Sequence, residues 1–201
     1  MLFPKPLTVI SFLVLLYASS CANDKPATTV EKISADSATV VKRMEGIPDS
    51  AVFNFLRWYA KNVNRISEIN LVNNNGSNDS TKFYSVNFPA TEIYLNALKE
   101  SGFISGQYIN TWHEYFKKRD EHFKSHPQNE GPPEGFDYDL VMQTQDIEDI
   151  YHLDKATVIS KSVNDGGANL KIRFLHGQEL VFLLSKPDDA WLIDKIDYED
   201  K

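Results

Sequence analysis

The sequence predicts an α+β domain in which three N-terminal helices pack on one face of a curved four-stranded antiparallel sheet. Two observations carry this prediction. Apolar residues recur at helical spacing between residues 49 and 126, and at strand spacing between residues 156 and 198. Short turn sequences separate the predicted strands, which favours a meander in which each strand pairs with the next.

The first two strands are predicted from a hairpin sequence and from alternation. Residues 156–163 form the first strand, and Asn164-Asp165-Gly166-Gly167 is a strong turn signal after it. Leu170, Ile172 and Phe174 then alternate with charged residues. This period of two indicates a second strand with one buried face and one solvated face.

The third and fourth strands do not alternate in this simple way. Residues 180–184 are apolar on both faces, which is typical of a central strand that is covered on both sides. After a turn at residues 187–189, Trp191 and Ile193 are expected to share one face of the last strand. The residues expected on its opposite face are Leu192, Ile196 and Tyr198.

The first helix is predicted to begin at an Asp49 N-cap and to run to about Ile66. Its buried face is expected to contain Phe53, Leu56, Ala60, Val63 and Ile66, and Phe55, Trp58 and Tyr59 are expected to widen this face in the first half of the helix. The polar run at residues 73–80 is a loop by composition. We interpret it as a tolerated insertion, with a recognition loop as the alternative.

The second helix is predicted at about residues 89–101, with Gly102 as the left-handed residue that ends it. The third helix starts near Ser105 and ends by His126, because the residue before a proline is pushed out of the helical region. Its apolar stripe comprises Tyr108, Trp112, Tyr115, Phe116 and Phe123. Residues 127–135 contain Gly-Pro-Pro and are predicted to form a loop.

The N-terminus is interpreted as a lipoprotein signal peptide. An apolar stretch at residues 7–17 follows the single charge of Lys5 and is too short to span a bilayer comfortably. Ala18-Ser19-Ser20-Cys21 resembles a lipobox, so residues 1–20 are expected to be removed and Cys21 to carry a lipid. The alternative is ordinary cleavage after a small residue, which would leave a free thiol.

The next segment, residues 21–46, is polar and is predicted to be a flexible tether to the folded domain, residues 47–201. Ala22 stands directly after the cysteine. By resemblance to Gram-negative lipoproteins, a residue other than Asp there implies sorting to the outer membrane.

Charge and cysteine content exclude several classes of protein. The 201-residue chain has a net charge of −7 and lacks a run of Lys or Arg, which argues against binding to nucleic acid or to a bare anionic lipid surface. A single cysteine excludes an intramolecular disulfide. The chain also lacks a serine-elbow motif, a phosphate-binding loop and a dinucleotide fingerprint, so catalysis is not favoured.

No metal site or cofactor is predicted. His122 and His126 are four residues apart, a spacing that places two imidazoles on one helix face. After His113-Glu114, however, Lys117 stands where a zinc-protease motif has its second histidine. We therefore interpret these histidines as part of a solvated polar face.

The most unusual local sequence is residues 136–146, where three acids and two amides surround an apolar triplet. A buried carboxylate here could have a raised pKa and act as a general base, and the catalytic candidates are Asp139 and Asp146. The ligand-binding candidates are Asp137, Asp139, Gln145, Asp146 and, from the third helix, Trp112. The favoured alternative is that the Asp and Gln side chains satisfy backbone groups where the chain crosses from helices to sheet.

These elements resemble an uncharacterised family of bacterial lipoproteins and periplasmic proteins with a cystatin-like, nuclear-transport-factor-2-like cone. The resemblance rests on residues 53–59, on Asp137-x-Asp139 to Gln145-Asp146, and on residues 190–196. The resemblance covers residues 47–198, and the loops at residues 73–80 and 127–135 fit as insertions. It implies the cone fold but no mechanism. Ketosteroid-isomerase-like enzymes of the wider superfamily use an Asp base in the cone, and that base has no assigned position here.

The sequence thus predicts an envelope-anchored lipoprotein that carries a binding or interaction module. The alternatives are a small-molecule enzyme of the cone type with an Asp base, and an immunity-type inhibitor that blocks a protein partner. Expected partners are the membrane, through Cys21, and a small molecule or an envelope protein. A homodimer could form through a sheet face that contains Val181, Leu183 and Leu192.

Overall fold

The computed structural model describes residues 47–75, 79 and 81–198. It confirms the α+β prediction, with three helices and an open four-stranded antiparallel sheet in this part of the chain. The predicted signal peptide (residues 1–20), Cys21 and the tether (residues 21–46) lie outside the described residues. None of the helices described is both long and apolar enough to cross a membrane.

The helices and strands follow the predicted order along the chain. The helices are α1 (Pro48–Ser67), α2 (Phe88–Lys99) and α3 (Gly106–Ser125). The strands are β1 (Val72–Asn73), β2 (Ser85–Val86), β3 (Thr157–Asn164), β4 (Gly167–Arg173), β5 (Glu179–Ser185) and β6 (Leu192–Tyr198). Single 3-10 turns lie at Glu148–Tyr151 and Pro187–Asp189.

The predicted Asp49 cap of α1 is wrong. Ile47 occupies the N-cap position without a side-chain hydrogen bond, and Pro48 opens the helix. Proline suits this place because the N–H that it lacks would have no intrahelical partner. Asp49 lies in the first turn, where its carboxylate is 2.5 Å from the ammonium group of Lys161 on β3.

The buried face of α1 is wide, as predicted, but its most deeply buried residues differ in part from the predicted stripe. Phe53 and Ala60 are only partly buried, whereas Phe55 and Tyr59 are almost completely buried. The helix contacts both the main sheet and the 3-10 turn at Glu148–Tyr151, so side chains on two sides of the helix are covered. The hydroxyl of Tyr59 therefore lies inside the domain.

The ends of α2 and α3 are set by local chemistry. The side chain of Asn87 accepts a hydrogen bond from the Ala90 N–H at 3.3 Å, so α2 starts slightly before the predicted Pro89. Gly102 has the predicted left-handed conformation, with φ of 75°. Ser105 caps α3 by accepting from the Tyr108 N–H at 3.1 Å, which confirms the predicted start.

A short ribbon, β1–β2, was not predicted. Val72 pairs with Val86, and the predicted polar loop lies between the two strands. The Val86 N–H donates to the buried Asp120 carboxylate of α3 at 3.1 Å, which ties the ribbon to that helix. Strands of two residues are too short for periodicity to reveal.

The main sheet is the predicted meander, in the order β3-β4-β5-β6. Asp165 and Gly166 form the turn of the first hairpin. The inward face of the sheet is filled by side chains that are completely buried, among them Leu170, Phe182 and Ile193. This face of the sheet is therefore part of the core.

The predicted faces of β6 are partly wrong because the strand contains a bulge. Ile193 pairs with Leu184, but Lys195 pairs with Leu183, so Asp194 is an extra residue on this strand. Ile196 was expected on the other face of β6 from Ile193. Because of the bulge, both side chains are buried in the same core. Trp191 is buried as predicted, with 7% of its surface exposed.

The outer face of the sheet combines half-buried apolar residues with charges. Val181 and Leu183 are half-buried. Near them, the Glu179 carboxylate lies 2.7 Å from both Lys171 and Arg173. Hydrogen bonds from these two cations lower the pKa of Glu179 to about 2. Homodimerisation through this face stays a prediction, and any partner surface would meet these charges.

Candidate functional site

A cleft of about 1130 Å³ lies beside the sheet, between the end of α1, the start of β1, the Gly-Pro-Pro loop and residues 136–147. Its volume is close to the ~300–1,000 Å³ that is usual for small-molecule sites. None of the residues that line it belongs to β3–β6. The main sheet therefore does not form the wall of this cleft.

Asp139 organises the segment that forms the inner wall of the cleft. Its Oδ1 accepts hydrogen bonds from the N–H groups of Val141 and Met142, at 3.0 and 2.7 Å. Its own N–H donates to the Thr144 carbonyl at 2.9 Å, which closes a tight loop. This closure drives the apolar triplet, residues 140–142, into the core.

The second oxygen of Asp139 is also occupied. The Tyr59 hydroxyl of α1 donates to Asp139 Oδ2 at 2.5 Å. Burial raises the pKa of Asp139, and the hydrogen bonds from Met142, Tyr59 and Val141 oppose this rise. Burial also raises the pKa of Tyr59, so its hydroxyl stays protonated and remains a donor. A general base needs a free oxygen, so this geometry favours the alternative interpretation, in which Asp139 is a fixed acceptor.

Tyr94 adds an unpaired hydroxyl at the same end of the cleft. Its ring lines the cleft, only 4% of its surface is exposed, and its hydroxyl has no hydrogen-bond partner. Burial raises its pKa, and Tyr59 and Asp139 are close enough to raise it further. An unpaired buried hydroxyl is unfavourable, and because the oxygen is itself covered, a ligand would contact it only after a movement of the wall.

The other acidic candidates differ in position. Asp137 and Gln145 lie on the exposed rim of the cleft, where Gln145 Nε2 is 3.5 Å from Asp137 Oδ2. Asp146 is not among the residues that line the cleft, and its carboxylate accepts from the Glu148 N–H at 2.9 Å. Asp146 therefore lies outside this cleft, and its side chain accepts a hydrogen bond from the first N–H of the following 3-10 turn.

The Gly-Pro-Pro loop forms one wall of the cleft and is held there by hydrogen bonds. Gln128 donates to the Pro132 carbonyl at 2.8 Å and accepts from the Glu134 N–H at 3.0 Å. Tyr84 donates to the Gly131 carbonyl at 2.8 Å and lines the cleft beside it. These bonds hold residues 129–133 against the cleft.

Trp112 lies away from the acidic candidates, in a second and smaller cavity of about 240 Å³ between α3 and β6. Tyr138 lines both cavities and forms part of the wall between them. The other residues around the smaller cavity are Tyr108, Thr111, Tyr115, Gln143, Asp194, Lys195, Ile196 and Asp197. The structure therefore does not bring Trp112 together with Asp139.

The two histidines of α3 interact with each other and with a loop carboxylate. The His122 and His126 rings stack with centroids 4.7 Å apart, and His122 Nε2 lies 2.9 Å from Glu134. Within the part of the chain that the structure describes, no group of three or more His, Cys, Asp or Glu side chains is arranged to hold a metal ion.

Sequence reasoning missed three residues that shape the site. Tyr59 and Tyr94 stand among apolar neighbours and looked like ordinary core, although a buried tyrosine hydroxyl usually needs a partner. Gln143 was not a candidate, yet its amide bonds both the Ile196 carbonyl and the Tyr198 N–H, at 2.6 and 2.9 Å. It thereby fixes residues 139–144 to the edge of β6.

The arrangement offers fixed donors and acceptors at the inner end of a cleft, with exposed acids and amides at its mouth. Comparisons with protein-family models, with curated proteins and with solved structures find no match to this chain. Its function is therefore argued from the cleft.

Proposed function

We propose that this chain is an envelope-anchored lipoprotein whose folded domain binds a small molecule in the cleft. The observation that carries the proposal is the buried inner wall, where Tyr59 and Asp139 are hydrogen-bonded and Tyr94 has an unpaired hydroxyl. Pockets that bind small molecules combine aromatic walls with a few polar groups at fixed positions. The cleft has both of these properties.

We also propose that the domain is a variant of the cystatin-like cone. Three helices before a four-stranded meander support this proposal. The site would then differ from that of cone-type enzymes, because buried side chains fill the inward face of the sheet and the cleft lies outside it. The hydrogen bonds on both oxygens of Asp139 give the enzyme alternative less support than the binding module.

A cleft-blocking variant tests the binding proposal. Ser67 is exposed at the end of α1 and lines the cleft, so Ser67→Trp is expected to fill its mouth. Lys61→Trp is the matched control, because Lys61 is exposed on the same helix and does not line the cleft. Native mass spectra of the full chain, extracted in mild detergent from a Gram-negative envelope, should show a bound small molecule in the wild type and in Lys61→Trp.

The same spectra should show at least a tenfold lower occupancy in Ser67→Trp, because a filled mouth excludes the ligand. Equal occupancy in both tryptophan variants would place the bound molecule elsewhere. A wild-type chain that carries no small molecule and is instead recovered with a protein partner would contradict the proposal.

The anchor is tested separately with Cys21→Ser. Signal peptidase II processing requires the cysteine, so we expect the intact mass of this variant to lack acyl groups and to retain residues 1–20. Ser20→Ala, which leaves the cysteine in place, is the control and should be both processed and acylated. Loss of residues 1–20 from Cys21→Ser, or a wild-type chain without acyl groups, would contradict lipid anchoring at this residue.

Binding of an envelope protein is the second candidate. Three large apolar side chains between residues 83 and 93 are exposed, with Phe83, Phe88 and Ile93 at 50%, 41% and 60%. Exposed apolar residues that form one patch are typical of protein–protein contacts. A stoichiometric complex that is lost in Ile93→Asp and retained in Ser67→Trp would favour this candidate.

A further inference from the structure

The charged side chains described around the cleft are all acidic. Four carboxylates line it, from Glu68, Glu130, Asp137 and Asp139. Lys, Arg and His are absent from the described residues that line it. The field of these carboxylates therefore disfavours an anionic ligand and favours a cationic one.

The walls of the cleft are rich in aromatic rings. Five aromatic residues line it, namely Tyr59, Tyr84, Tyr94, Phe136 and Tyr138. The face of an aromatic ring attracts an ammonium group, and the attraction is stronger where water is excluded. Carboxylates beside aromatic rings are thus a combination suited to an organic cation.

The inner wall of the cleft contains two buried tyrosine hydroxyls. The Tyr59 hydroxyl donates to Asp139, whereas the Tyr94 hydroxyl is buried and lacks a partner. Because the Tyr94 oxygen is itself covered, a ligand would contact it only after a movement of the wall. The carboxylates alone would not define a site, but here they line a cavity of small-molecule size together with aromatic rings.

We propose that the cleft selects an organic cation, an amine that places its ammonium group among the carboxylates and its apolar part against the aromatic rings. This inference rests on the proposed function and adds the chemical class of the ligand. Glu68, Glu130 and Asp137 at the mouth attract the cation, and the aromatic rings of the cleft contact its apolar part.

Three probes of nearly equal shape test the charge preference. They are phenethylammonium, 2-phenylethanol and phenylacetate, titrated by calorimetry into the full chain in an uncharged detergent. We expect saturable binding of phenethylammonium, about tenfold tighter than that of 2-phenylethanol. Phenylacetate should bind most weakly, because its carboxylate is repelled.

Two neutralised carboxylates identify the site of binding. Glu68→Gln and Asp137→Asn should each weaken phenethylammonium binding about two- to fivefold, since both groups are exposed and partly screened. Both should leave 2-phenylethanol unaffected. Glu121→Gln is the matched control, because Glu121 is exposed and lies outside the cleft. Ser67→Trp should abolish binding of the ammonium probe.

The outcomes separate the two proposals. If 2-phenylethanol binds as tightly as phenethylammonium and Ser67→Trp abolishes both, the cation inference is overturned and the binding function stands. Absence of phenethylammonium binding, or tighter binding of phenylacetate, also overturns the inference. If the chain extracted from the envelope carries no small molecule either, the proposed function fails with it.

Discussion

Replacing Asp139 with alanine is expected to reduce the free energy of unfolding by about 3–5 kcal/mol, because three donors lose their acceptor at once. They are the N–H groups of Val141 and Met142 and the hydroxyl of Tyr59. Each unpaired buried donor costs roughly 1–3 kcal/mol, and water from the cleft can satisfy part of this demand. Urea denaturation followed by tryptophan fluorescence measures the change.

Two variants control this experiment. Asp139→Asn keeps an oxygen for the two backbone donors and is expected to lose only about 1 kcal/mol. Asp146→Ala removes an exposed carboxylate with a single backbone bond, and should lose less than about 1 kcal/mol. If Asp139→Ala were no worse than Asp146→Ala, Asp139 would not organise the loop, and a free catalytic carboxylate would again be possible.

Trp191→Ala is the second large effect, with an expected loss of about 3–5 kcal/mol. The indole is 93% covered and lies where β6 begins, so its removal leaves a large hole beside Ile193. The Lys186 ammonium lies 5.9 Å from the centre of its ring and would lose that contact as well. Because the variant lacks this fluorophore, circular dichroism in urea is the appropriate measurement.

Tyr198→Ala is the control for Trp191→Ala, since Tyr198 ends the same strand with 50% of its surface exposed. Its loss should stay below about 1 kcal/mol. A loss for Trp191→Ala as small as that of the control would show that the indole is exposed in solution. The assignment of faces at the start of β6 would then be wrong.

Local chemistry explains which elements were predictable from the sequence. Ser105, Gly102 and the turn at residues 164–167 act on their own backbone, so their structures follow from residue type and neighbours. The bulge at Asp194 breaks the period of two, and alternation alone cannot locate an inserted residue. The faces of β6 were therefore only partly predictable.

The candidate site was likewise only partly predictable from the sequence. Asp137, Asp139 and Asp146 have the same side chain within one short segment, yet they lie on the rim, in the inner wall and outside the cleft. Which of them meets Tyr59 depends on the packing of α1, eighty residues earlier in the sequence. The unpaired state of Tyr94 likewise depends on tertiary packing, which residue spacing does not encode.

Binding in the cleft is tested most directly by NMR of the full chain with carbon-13-labelled tyrosine rings, before and after addition of a small-molecule extract of the envelope. We predict shifts for Tyr59, Tyr84, Tyr94 and Tyr138, which line the cleft, and none for the exposed Tyr198. The largest shift should belong to Tyr94. Unchanged Tyr59, Tyr84 and Tyr94, or shifts confined to Tyr108, Tyr115 and Tyr138 around the smaller cavity, would contradict the account.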